Sequence, residues 1–114
     1  MELNKYSKQA YAYAKYRFPD YCFLALAEEA GEVCGKLAKH SRKHNVTLND
    51  MLVTIENDPT LKEDLMKELG DVLWQLNACA TEIGSSLQEI ADMNLAKLSD
   101  RSKRGTLIGE GDNR

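Results

Sequence analysis

The sequence predicts an all-α protein, and three observations carry that prediction. Apolar residues recur at helical period in four separate stretches, and only two prolines interrupt 114 residues in which β-branched runs are few. One pattern also occurs twice, as Leu26-Ala27-Glu28-Glu29-Ala30-Gly31-Glu32-Val33-Cys34 and as Leu65-Met66-Lys67-Glu68-Leu69-Gly70-Asp71-Val72-Leu73. Residues three apart on a helix stand on neighbouring turns, so Glu29 pairs with Glu32 and Glu68 with Asp71. The expected architecture is a four-helix antiparallel bundle with a short extra helix between its second and third members.

Asn4 is placed to cap a first helix running to about Arg17, where Phe18-Pro19 ends it because the residue before proline avoids the helical region. All five tyrosines fall within the first 21 residues. Tyr6, Ala10, Tyr13 and Ala14 read as a packing stripe, with the alternative that one or two rings stack on a base. Asp20 is placed to cap a second helix from Tyr21 to about His44, with the stripe Phe23, Leu26, Ala27, Ala30, Cys34 and Leu37. Glu29 falls roughly 100° from the centre of that stripe, at the border of the core. His40 and His44 could grip a metal, but near a helix C-terminus they read more simply as solvated residues at the negative end of the dipole.

Residues 45–59 form a polar connection in which Thr47 and Asp50 start a short helix anchored by Met51, Leu52 and Ile55. Behind Pro59, Thr60-x-x-Glu63 is a capping box for a third principal helix with the stripe Leu65, Leu69, Val72, Leu73, Leu76, Ala80 and Ile83. Gly84 stops it, and Ser86-x-x-Glu89 opens a fourth that carries Leu87, Ile90, Ala91, Leu95 and Leu98. Residues 1–101 are thus expected to form one helical domain and 102–114, with three glycines, a flexible tail.

Glycine inside a helix costs about 1 kcal/mol relative to alanine, so Gly31 and Gly70 are expected where the second and third helices cross closely. Four carboxylates would then converge, and carboxylates that close do not all stay ionised unless cations neutralise them, which outlines a magnesium site. On the fourth helix Asn94, Lys97 and Arg101 share one face and Arg104 follows, the cations a polyphosphate needs beside an acidic metal cluster. A net charge of -3 with both signs intermixed gives no footprint for nucleic acid or membrane. Met1-Glu2-Leu3-Asn4-Lys5 is no signal peptide, and three cysteines too far apart for a Cys-x-x-Cys motif read as buried thiols, so a cytoplasmic location is expected.

Glu29-x-x-Glu32, Glu68-x-x-Asp71, the internal Gly31 and Gly70, and Asn94-x-x-Lys97-x-x-x-Arg101 together resemble the MazG-type all-α nucleoside triphosphate pyrophosphohydrolases, over roughly residues 20 to 105. The resemblance implies that Glu29, Glu32, Glu68 and Asp71 bind Mg²⁺, in more than one ion and with Mn²⁺ as a substitute. It implies that Lys97 and Arg101 meet the phosphates, with Asn77, Asn94 and Arg104 as further substrate contacts. The reaction implied is cleavage of a nucleoside triphosphate to monophosphate and pyrophosphate; because so small a bundle also has to wall off a nucleotide, a homodimer or homotetramer is expected. Relatives acting on dUTP, dCTP, phosphoribosyl-ATP or alarmone-like nucleotides leave the substrate open. Glu29 or Glu32 is the expected general base, with Glu28 as the alternative. Two other classes stand beside this: a di-iron carboxylate protein, whose plan needs Glu-x-x-His pairs absent here, and a non-enzymatic helical interaction module.

Overall fold

The computed structural model describes residues 1–112. Among these the chain is all helical: α1 Leu3–Tyr11, α2 Asp20–His44, α3 Leu48–Val53, a 3-10 turn Ile55–Asn57, α4 Pro59–Glu82 and α5 Leu87–Arg104. Four principal helices with one short helix between the second and third is the arrangement expected. No helix among the described residues is long and apolar enough to cross a membrane.

The helix ends show which local signals won. Thr47 accepts from the Asp50 backbone N–H at 3.1 Å and Ser86 from that of Glu89 at 3.1 Å, both as expected. The expected cap of α4 is corrected: Asp58 accepts from the Leu61 N–H at 3.0 Å and Pro59 takes the first helical position, where its missing N–H costs nothing. Glu2, not Asn4, precedes α1, and Pro19, not Asp20, precedes α2, leaving Asp20 to favour the first turn by charge. The expected end of α1 at Arg17 is also corrected, because the helix stops at Tyr11. Tyr11 donates to Glu82 at 3.0 Å and Tyr16 makes a short hydrogen bond to the same carboxylate. Five residues on one continuous helix would point roughly 140° apart, so the chain must bend for both hydroxyls to meet there.

The backbone of the fold is the antiparallel pair α2 and α4, which pack along most of their length. Two apolar clusters occupy the ends of their seam. Cys22, Ala78 and Cys79 form one with Tyr16, Leu26 and Trp74, while Met51, Leu61 and Leu65 form the other with Val33, Leu37, Val46 and Ile55. α1 lies across α4, held by Trp74 Nε1 donating to the Ala10 carbonyl and Asn77 Nδ2 to that of Ser7, each at 3.0 Å. α5 touches α1 and α4 but not α2.

That leaves much of the expected core outside. Cys22, Ala25, Leu61, Leu65, Ala78 and Ala80 are buried, whereas Phe23, Ala27, Ala30 and Cys34 on α2 and Leu69, Leu73, Leu76 and Ile83 on α4 are exposed, as are Ile90, Leu95 and Leu98 on α5; Met66, outside the expected stripe, is exposed as well. The radius of gyration, 17.1 Å, exceeds the value of about 13 Å usual for this chain length. The close approach expected at Gly31 and Gly70 is corrected too, since a Cβ at either would meet nothing within 4 Å. Each glycine follows its glutamate by two residues, roughly 200° around the helix, so a glutamate aimed into the seam puts its glycine outside. Of the cysteines, Cys22 and Cys79 are buried as expected and Cys34 is exposed.

Candidate active site

Between the two apolar clusters, midway along the seam, the doubled motif meets itself. Glu29 from α2 and Glu68 and Asp71 from α4 each offer a carboxylate oxygen, and the three oxygens lie within 4.8 Å of one another. They meet because the seam is antiparallel: Leu26 and Trp74 share one apolar cluster and Val33 and Leu65 the other, so Glu29 arrives level with the acid pair of α4. Glu32 stands one turn from Glu29 and is not one of the three, though its charge acts on Glu29. No histidine joins this group among the described residues, unlike the Glu-x-x-His plan of di-iron bundles.

The cluster is electrostatically uncomfortable without a cation. Burial, then the negative charges of Asp71, Glu28, Glu68 and Glu32, push the Glu29 carboxyl above the ordinary glutamate range. The Tyr6 hydroxyl, on α1, is pushed above the usual tyrosine range by burial and then by the charge of Asp71. Lys36 pairs with Glu68 at 3.8 Å and relieves part of the repulsion. Three all-oxygen ligands with waters completing the shell suit Mg²⁺, whose octahedral coordination tolerates few protein ligands. The residues therefore fit the ion that the doubled motif anticipates.

The cations are placed elsewhere in the same chain. Lys97 Nζ lies 3.1 Å from Asp112 Oδ1, and Arg101 Nη2 donates to the Asp112 carbonyl at 2.7 Å and to Oδ1 at 3.3 Å. These two partners hold the Asp112 carboxyl below the usual aspartate range. Arg101 is 4% exposed, and its Nε has no hydrogen-bond partner among the described residues. Arg104 donates to Asp100 at 2.8 Å, and Asn94 is exposed on α5. Asn77 is 1% exposed, with its amide nitrogen on Ser7 and its Oδ1 unpartnered. The structure thus brings Glu29, Glu68 and Asp71 together and groups Lys97 with Arg101, but shows no ion pair between the acids and these cations among the described residues. His40 and His44 have ring centroids 4.3 Å apart, and His40 Nε2 lies 3.8 Å from Asp58.

An aromatic cleft of about 540 Å³ opens beside the α2 N-terminus, lined by Tyr13, Tyr16, Phe18, Tyr21 and Trp74 together with Lys15, Arg17 and Asp20. Tyr16 and Tyr21 stack at 5.8 Å, and Trp74 meets Tyr16 edge-on at 6.5 Å. Trp74 is one turn along α4 from Asp71, so cleft and acid cluster share a helix face. Sequence reasoning missed Lys36 and Asp112. Lys36 lies two turns from Glu29 on the same face and had a readable spacing, whereas Asp112 is a long-range contact with no local signal.

A helical fold that gathers three carboxylates from two paired motifs makes a candidate metal site. More specifically, residues 19–106 match the MazG nucleotide pyrophosphohydrolase domain, and the chain belongs to that family. It is 37% identical over 94 residues to the Gene 37 protein of Mycobacterium phage L5, covering 82% of this chain and 75% of that protein. No solved structure matches it.

Proposed function

We propose that this protein is a Mg²⁺-dependent nucleoside triphosphate pyrophosphohydrolase that cleaves between the α- and β-phosphates to give a nucleoside monophosphate and pyrophosphate. The observation that carries the reading is the convergence of Glu29, Glu68 and Asp71 within 4.8 Å in the middle of the seam of a MazG-family domain. Glu29, Glu68 and Asp71 would hold Mg²⁺, with Glu32 one turn away as a fourth ligand. Bound there, the ion neutralises phosphate charge and acidifies a water. Glu29 or Glu32 takes the proton of the attacking water. Lys97 and Arg101 stabilise the charge that builds on the pyrophosphate leaving group. The aromatic cleft, one turn from Asp71, takes the base by stacking.

The site also calls for a second copy of the chain. Met66, Leu69, Leu73, Leu76 and Ile83 recur at three- and four-residue or seven-residue steps on the outer face of α4, and Phe23, Ala27, Ala30 and Cys34 do so on α2. Two such stripes on neighbouring helices are half of a bundle core, and a homodimer or homotetramer covers them. The reading further places the protein in the cytoplasm, where its free thiols stay reduced.

A panel of ribo- and deoxyribonucleoside triphosphates, assayed with Mg²⁺ for pyrophosphate and for orthophosphate, tests the proposal. Turnover of at least one triphosphate with pyrophosphate as the first product is expected, and Glu68→Ala and Asp71→Ala should abolish it while keeping the helical circular dichroism. Orthophosphate as the only first product, or near-full activity in both variants, would overturn it.

A further inference from the structure

The C-terminal residues fold back on α5 at the two cations assigned to phosphate. α5 ends at Gly105, whose φ of +71° turns the chain back, and the Thr106 N–H bonds to the Arg101 carbonyl at 2.8 Å. The chain then returns so that Asp112 meets Lys97 and Arg101 together. Two features of these contacts decide what they do. First, the Arg101 side chain is 5% exposed, and a guanidinium that deeply buried needs an acceptor of opposite charge. Asp112 supplies both its carboxylate and its backbone carbonyl to one nitrogen, Nη2, so the contact anchors the main chain as well as matching the charge. Second, Lys97 gives one hydrogen bond to Asp112 and its side chain remains 39% exposed, so the ammonium is not closed off from solvent. Two cations against one carboxylate leave the face net positive.

A carboxylate that merely blocked the cations would be a poor competitor. Asp112 is 83% exposed and carries one charge, and a triphosphate brings several to the same donors. What Asp112 does contribute is a fixed direction for two long, flexible side chains that otherwise sample many rotamers, a cost the substrate would have to meet on binding.

We propose that the strap formed by residues 105–112 belongs to the phosphate-binding face and that Asp112 is a positioning residue, anchored on the buried Arg101 and holding Lys97 beside it so that the exposed Lys97 ammonium meets the polyphosphate. The inference rests on the reading of Lys97 as a phosphate contact. Asp112 itself touches no reacting atom. Its removal leaves the chemistry intact and loosens the grip on substrate.

The test is steady-state kinetics on the full-length chain with Mg²⁺ and the best triphosphate of the panel, for the parent, D112N, D112E, K97A and the K97A/D112N double variant, with melting temperatures for each. D112N should raise KM about fivefold with kcat within about twofold of the parent, and D112E should recover most of the loss. In the K97A background D112N should add little, because the side chain it orients is gone. A strap with a purely structural role would instead lower the melting temperature and add its full effect in the K97A background. A fall in KM for D112N would make the strap a competitor of substrate and overturn the proposal. K97A raising KM with D112N leaving it unchanged would sink the positioning role alone, whereas an unchanged KM in K97A would remove the phosphate reading and the inference with it.

Discussion

Replacing Glu29 with glutamine tests whether the seam is built around like charge. Its carboxylate lies within 4.8 Å of those of Glu68 and Asp71. Two unit charges at that separation repel by about 0.9 kcal/mol at the dielectric of water and by about 3.5 kcal/mol at the effective dielectric near a protein surface. The site is part-exposed, Lys36 offsets some of the charge of Glu68, and physiological salt screens the rest over about 8 Å, so the lower value governs. Summed over both neighbours, E29Q should stabilise the metal-free protein by about 1–2 kcal/mol at pH 7, or roughly 4–8 °C in melting temperature. The pH dependence has a definite sign. A carboxyl raised in the folded state binds its proton more tightly there than in the unfolded chain. Stability from this group is therefore greatest below the ordinary glutamate range and falls as pH rises towards the raised value. E29Q should flatten that fall, and 1 M salt should shrink the gap between variant and parent. Differential scanning calorimetry in EDTA, then with added Mg²⁺, reads all of this: Mg²⁺ should raise the parent's melting temperature and do much less for E29Q. An apo E29Q that melts below the parent, or that gains as much from Mg²⁺, would refute the reasoning.

Other consequences are structural. Asn77→Ala removes the bond to Ser7 and opens a small cavity, so it should cost about 2–3 kcal/mol and lower the melting temperature by roughly 10 °C, with a loss under 3 °C counting against its role as an anchor of α1. Asp58→Ala removes the α4 cap and should cost about 1 kcal/mol by urea denaturation at unchanged m-value. Sedimentation at micromolar concentration should give a dimer or larger for the parent and a shift towards monomer for Leu73→Glu, which places a charge in the exposed stripe of α4; a monomeric parent would contradict the oligomer.

The helical class, the division into four principal helices and the caps at Thr47 and Ser86 were legible because they depend on neighbours a few residues apart. The meeting of the two acid motifs was legible in part: of the four carboxylates expected to converge, Glu29, Glu68 and Asp71 do and Glu32 does not join them. Harder to read was where the apolar stripes would go. Periodicity marks a face that seeks cover without saying what covers it, which is why Leu69, Leu73 and Leu76 look like core in the sequence and lie outside in the single chain. The early end of α1 escaped for a related reason: Phe18-Pro19 is a strong local stop, but the bend before it is set by Glu82, distant in sequence, drawing in both Tyr11 and Tyr16. The Asp112 strap, eleven residues beyond Arg101, had no periodic signal at all.

The central claim is that water attacks the α-phosphate of a nucleotide at the Glu29, Glu68 and Asp71 cluster, and hydrolysis in ¹⁸O-labelled water tests it most directly. With Mg²⁺ and the preferred triphosphate, one labelled oxygen should appear in the nucleoside monophosphate and none in pyrophosphate, and Asp71→Ala should release neither product. Label found in pyrophosphate or orthophosphate, or labelled monophosphate still produced in excess EDTA, would contradict the account.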